Sequence, residues 1–189
     1  MAPVTRLCSR NENKLRELRA ALPGWELELL DVDEYPPEEG TTYYENARAK
    51  TRFGRSVGPR DAWMLGEDSG IEVAGLGGRP GVESARFGGD DPVRALLAAL
   101  EGVADRRARY VCELVCLSPA EQEFRGTGIL AGNIVEAPRG SEGFGYDPIF
   151  VPEAETRTVA ELGNEWKRQN SHRARAVRAL LASLGQAAG

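Results

Sequence analysis

Apolar and polar positions along this 189-residue chain change period several times, and each change marks an element. "VTRLC" (4–8) is a short β-type run. After the polar turn "SRNENK", leucines at 15, 18 and 22 fall at the spacing of an amphipathic helix, which Pro23-Gly24 stops. "WELELL" (25–30) alternates as a strand does, and the acidic loop "DVDEYPPEEGTT" (31–42) leads to a helix around "YYENARAKTRFGRSV". "AWMLG" (62–66) reads as a buried strand ending at "EDSG", with Ser69 and Gly70 in a turn and "IEV" beyond. A glycine-rich stretch (74–89) follows, then a helix over "DPVRALLAAL" (91–100) with Asp91 as cap and Pro92 at its first position. "RARYVCELVCL", "EFRGTGIL" and "GNIVEAP" read as a three-strand meander. A closing helix over 171–184 carries Ala174, Val177, Leu180, Leu181 and Leu184 as its apolar stripe. Helices and strands in this order predict a mixed α/β domain without repeats or linkers.

Bulk composition narrows the partners. A net charge of −5 argues against nonspecific binding to nucleic acid or an anionic membrane, so positive charge for an anionic ligand must be local. The three cysteines, Cys8, Cys112 and Cys116, lack metal-type spacing. Cys112 and Cys116 sit four apart in a strand and share a face. They read as buried free thiols, which fits a reducing, cytoplasmic compartment. No run approaches the roughly 18 apolar residues of a membrane span, and the start "MAPVTRLCSR" has no signal-type apolar core. Arginines number 21 and lysines three, so Lys14, Lys50 and Lys167 stand out. An ammonium and a guanidinium are not interchangeable at a phosphate.

Five segments carry candidate chemistry. "SRNENK" puts a polar turn at a helix start, where free backbone N–H groups favour an anion and Ser9, Asn11 and Lys14 add donors. Serine and asparagine also cap helices for purely structural reasons. "GEDSG" (66–70) sets Glu67 beside Asp68, and two adjacent carboxylates raise each other's pKa unless a cation intervenes. Mg²⁺ is the hard ion that arrives with phosphates. The acidic loop offers Glu38 and Glu39, and "ENARAK" offers Glu45, Asn46 and Lys50. "WKRQNSHR" gathers Lys167, His172 and Arg173, and all three lysines lie in these segments.

Together with "GFGYDPIF" (143–150), these segments resemble the inosine/xanthosine triphosphate pyrophosphatase family. That family's blocks look like T-G-N-x-x-K, E-T-G-x-T-F-x-E-N-A-x-x-K, A-D-D-S-G-L-x-V-x-x-L-G-G-x-P-G-x-x-S-A-R-Y, G-F-G-Y-D-P-x-F and E-K-x-x-x-S-H-R. Here they read "SRNENK", "EEGTTYYENARAK", "GEDSGIEVAGLGGRPGVESARF", "GFGYDPIF" and "WKRQNSHR", in the same order across nearly the whole chain. The resemblance implies an elongated, ITPase-like α/β fold over residues 1–189, one domain of two lobes around a central cleft, and a homodimer. It implies Mg²⁺-dependent hydrolysis of ITP, dITP and XTP to the monophosphate and pyrophosphate. By position, Ser9, Arg10, Asn11, Glu12, Asn13, Lys14 and Ser69 would line the phosphates, with Lys50 and Arg86 also on the substrate. Asp68 would be general base and metal ligand, with Glu38 as second ligand and Glu39 and Glu45 as alternatives. Phe144, Gly145, Tyr146, Asp147, Lys167, His172 and Arg173 would form the nucleoside pocket. Phe144 or Tyr146 would stack on the base, and His172 and Arg173 would donate to its 6-keto oxygen. Three departures are visible: Arg10 replaces a small residue, Glu67 an aspartate and Trp166 a glutamate. Pyrimidine or modified nucleotides as substrates, or a nucleotide-binding module without turnover, remain open alternatives.

Overall fold

The computed structural model describes residues 3–186. Among the described residues, six strands and five α-helices follow in order: β1 (Val4–Leu7), α1 (Glu12–Ala21), β2 (Glu26–Leu29), α2 (Tyr43–Val57), β3 (Trp63–Val73), α3 (Pro92–Ala99), β4 (Arg107–Leu117), β5 (Glu123–Ile134), β6 (Phe150–Pro152), α4 (Val159–Asn170) and α5 (His172–Gln186). The strand order is β2-β1-β3-β4-β5-β6. β1 runs parallel to β2 and β3, with Leu7 opposite Leu29 and Leu65, whereas β5 and β6 are antiparallel. The sheet is therefore mixed, as the order of elements predicts. Among the described residues no helix is long and apolar enough to cross a membrane.

The chain divides into two compact units. The first holds the residues up to Asp68, Cys112–Gly128 and those from Arg173 on; the second holds Ser69–Val111 and Ile129–His172. Each has its own core. In the first unit Leu15 and Leu18 of α1 pack with Leu7, Leu65, Val177 and Leu180. Cys112 and Cys116 both fall in that core, as their even spacing predicts, and all three thiols are buried and free. Burial pushes the Cys8 thiol up to about 12, which leaves it inert. In the second unit Ile71, Leu96, Leu100, Ile149 and Phe150 form the centre, and Trp166 packs against it.

Three sequence expectations need correction. β3 does not stop at "EDSG"; it runs unbroken from Trp63 to Val73, so Ser69 and Gly70 are strand residues, not a turn. The turn propensity of D-S-G loses to sheet pairing and burial. Gly66 serves close packing: a Cβ there would collide with the Ala47 carbonyl of α2. The expected three-strand meander is instead two long strands, because "EFRGTGIL" and "AGNI" form the single strand β5. Helix α4 was unforeseen, although "TVAE" (158–161) carries its signal. Thr158 accepts from the Glu161 N–H and Glu161 accepts from the Thr158 N–H, a reciprocal cap. Gly163, with φ of +84°, breaks the helix and hides its period.

Candidate active site

The phosphate-turn candidate begins where β1 ends. Asn11 caps α1, its Oδ1 accepting from the N–H groups of Asn13 (3.0 Å) and Lys14 (3.1 Å), and Ser9 Oγ accepts from the Asn11 N–H (3.1 Å). The structural role is thus filled, and the cap fixes the turn from which Lys14 projects. Arg10 and Glu12 are exposed, and Asn13 Oδ1 accepts from Arg16. Lys14 reaches Glu67, Nζ to Oε2, at 2.6 Å.

Successive side chains of a strand point to opposite faces, so the neighbours Glu67 and Asp68 do not share a cation. Each has its own. Glu67 is fully buried between Lys14 and Arg173 (Nε at 3.0 Å), with the Cys112 thiol 3.7 Å away. Burial works to raise its pKa, but Lys14 and Arg173 outweigh it and hold the carboxyl well below the usual range. Arg173 also pairs with Glu17 of α1 at 3.0 Å, and its pKa rises because these carboxylates outweigh the desolvation. The guanidinium assigned from sequence to the nucleoside pocket thus pairs with two acids in the first unit.

Asp68 faces α2. Asn46 and Lys50 stand one helical turn apart on that helix, so both reach it: Asn46 Nδ2 donates to Oδ2 (3.1 Å) and Lys50 Nζ to Oδ1 (2.9 Å). Lys50 also pairs with Glu38 at 2.5 Å and donates to the Glu67 carbonyl. Asn46 Oδ1 accepts from the Gly40 N–H (2.8 Å) and so ties the acidic loop to the same centre. Burial raises the Asp68 pKa, against the pull of Lys50. Burial lowers that of Lys50, but Asp68 and Glu38 outweigh it and the net shift is upward. Of the other acids considered from sequence, Glu45 spends its carboxylate on Thr41 and Thr42 at the start of α2, and Glu39 is exposed. Glu38 is the loop carboxylate that meets Lys50. Among the described residues no cluster of three His, Cys, Asp or Glu side chains is placed to hold a metal.

The second unit gathers the aromatic group. In "GFGYDP" the Asp147 carboxylate accepts from the Phe144 N–H (2.8 Å) and Lys167 Nζ (2.6 Å) on Oδ2, and from the Tyr110 hydroxyl (3.3 Å) on Oδ1. Gly143, with φ of +82°, lets the turn close, since a Cβ there would strike that carboxylate. Tyr146 is buried, donates to the Ser84 carbonyl (2.9 Å), and burial pushes its pKa up to about 12. It belongs to the core. Phe144 is only half-buried, with the Lys167 ammonium 4.7 Å from its ring centroid, and Gly145 is exposed beside it. His172 is buried and stacks on Tyr110, centroids 4.5 Å apart and planes 7° from parallel. Ser69 lies within β3 and Arg86 is exposed. Trp166 donates Nε1–H to Glu155 at 3.0 Å.

Sequence reasoning passed over Glu17 and Tyr110 as site residues, and it gave Glu67 no role of its own beside Asp68. Glu17 follows Lys14 by three on α1, a weak signal; nothing local links Tyr110 to His172.

This fold and this centre define an α/β protein with a buried acid held between an amide and an ammonium. More narrowly, the chain belongs to the Ham1 family, whose sequence model matches residues 5–183. It is 45% identical over 185 residues to the dITP/XTP pyrophosphatase of Gloeobacter violaceus, covering 95% of this chain and 93% of that protein. With the dITP/XTP pyrophosphatase of Symbiobacterium thermophilum the identity is 47% over 186 residues, covering 94% and 93%. Among solved structures, the Staphylococcus aureus Ham1 protein superposes with a TM-score of 0.83 at 32% identity, over 97% of this chain and 98% of that one.

Proposed function

We propose that this protein hydrolyses purine nucleoside triphosphates outside the standard set (ITP, dITP and XTP) to the monophosphate and pyrophosphate. The observation that carries the reading is Asp68: a buried carboxylate with a raised pKa, set between Asn46 and Lys50 and next to Glu38 across that ammonium. The names of the relatives, dITP/XTP pyrophosphatases, agree with it.

The residues fit Mg²⁺. Glu38 and Asp68 are hard oxygen donors that already converge on one positive charge, Lys50 Nζ, and two carboxylates are the share a protein gives an ion completed by phosphate oxygens and water. Bound there, the ion supplies charge neutralisation and Lewis acidity. Asp68 takes the proton of the water that attacks the α-phosphorus, the bond to the bridging oxygen breaks, and pyrophosphate leaves. Lys14 and Lys50 stabilise the charge on the departing group, and Arg86 is assigned to the substrate by resemblance. Ser9 and the Asn11 Nδ2 group offer donors at the turn before α1.

At the base, Phe144 is the aromatic that gives a stacking face, since Tyr146 is committed to the core. Stacking accepts any base. Selection comes from donors such as His172 that meet a 6-keto oxygen and would face the 6-amino group of adenine. A site built this way can reject the wrong group by roughly 10⁴-fold. Steady-state kcat/KM over ITP, dITP, XTP, dUTP, GTP and ATP, with pyrophosphate and phosphate measured separately, tests the reading. Release of pyrophosphate from ITP with Mg²⁺ is expected; phosphate alone, or no turnover, overturns it. By resemblance the protein is a homodimer, which light scattering checks. Its three free buried thiols support a reducing, cytoplasmic location.

A further inference from the structure

We propose that Tyr110 is a positioning residue for base recognition, fixing His172 and Asp147 in a single arrangement. The proposal rests on the assignment of those two residues to the nucleoside pocket. It is carried by a juxtaposition that no sequence motif indicates. Tyr110, on β4, is 7% exposed and touches both groups at once. Its ring lies 4.5 Å from the His172 ring at 7°, and its hydroxyl donates to Asp147 Oδ1 at 3.3 Å. Phe150 supports the ring at 4.6 Å and 49°.

The chemistry of each contact is specific. An imidazole donates in the plane of its ring. A flat stack fixes that plane, and with it the direction in which His172 can offer a hydrogen bond. Asp147 is gripped on Oδ2 by the Phe144 N–H and Lys167, and the Tyr110 hydroxyl takes the other oxygen. With both oxygens held, the carboxylate cannot rotate, so the Phe144 turn and the Lys167 ammonium keep their places. One side chain therefore sets the orientation of groups from two separate segments, "GFGYDP" and the start of α5. Tyr110 itself moves no proton and needs no contact with the phosphates.

Two variants separate this role from plain packing. Tyr110→Phe keeps the stack and removes only the hydroxyl; Tyr110→Leu removes both. For Tyr110→Phe the KM for ITP is expected to rise by about three- to tenfold with kcat within about twofold, and ITP-over-ATP discrimination to fall by the same factor. Tyr110→Leu is expected to lose more discrimination. Inhibition by inorganic tripolyphosphate, which reads the Lys14 and Lys50 groups, is expected to stay within about twofold in both. A packing role would lower the active fraction, and hence kcat, and leave KM and the ITP-to-ATP ratio untouched. If wild type discriminates and both variants discriminate equally well, the Tyr110 proposal is wrong and the base-reading assignment stands. If wild type itself does not prefer ITP to ATP, the underlying assignment is overturned.

Discussion

At the scale of single residues, the two adjacent acids of β3 have different jobs because the strand turns them to different partners. Asp68, with its raised pKa and its lysine, is the proposed proton acceptor. Asp68→Asn is expected to lower kcat by about 10²- to 10⁴-fold while ITP binding by calorimetry persists. Full activity in that variant would sink the assignment. Glu67 is a fully buried anion serving Lys14 and Arg173. Glu67→Gln removes one partner of a buried ion network and is expected to cost about 3–5 kcal/mol in urea unfolding. A loss below about 1 kcal/mol would mean that the network contributes little.

At the scale of elements, helix α2 is legible almost residue for residue, because its apolar period, its Thr42–Glu45 capping box and its motif lysine agree. The second half of β3 is not legible, since "EDSG" has turn chemistry and only its sheet neighbours override it. The site divides in the same way. Asn46 and Lys50 are readable as one helical face, whereas the pairing of Glu67 with Arg173 spans 106 positions and leaves no local trace. Glu123 of β5 shows how α2 is tied down: it accepts from the Tyr44 hydroxyl (2.7 Å) and from Arg48 (2.9 Å). Burial raises its pKa, but Tyr44 and Arg48 outweigh burial and the net shift is downward. A depressed carboxylate contributes stability that is present above its unfolded pKa, near 4.5, and is lost as pH falls through the folded value. Stability is therefore expected to fall as pH drops below about 4.5, and Glu123→Gln should flatten that fall by up to about 1 kcal/mol. Superimposable pH–stability curves for variant and wild type would contradict this.

At the scale of the whole molecule, each unit carries a separate core. Lys50 already pairs with both Glu38 and Asp68, so the Mg²⁺ proposed for turnover is not needed for folding. Chelation with EDTA is expected to stop pyrophosphate release while the melting temperature moves by less than about 2 °C. A large drop in melting temperature would make the metal structural. The long strand β3 has a last consequence. Its two acids are told apart only by phase, so a one-residue insertion upstream in the strand would move Glu67 into the place of Asp68: the chain would keep every motif letter and present the wrong carboxylate to Lys50.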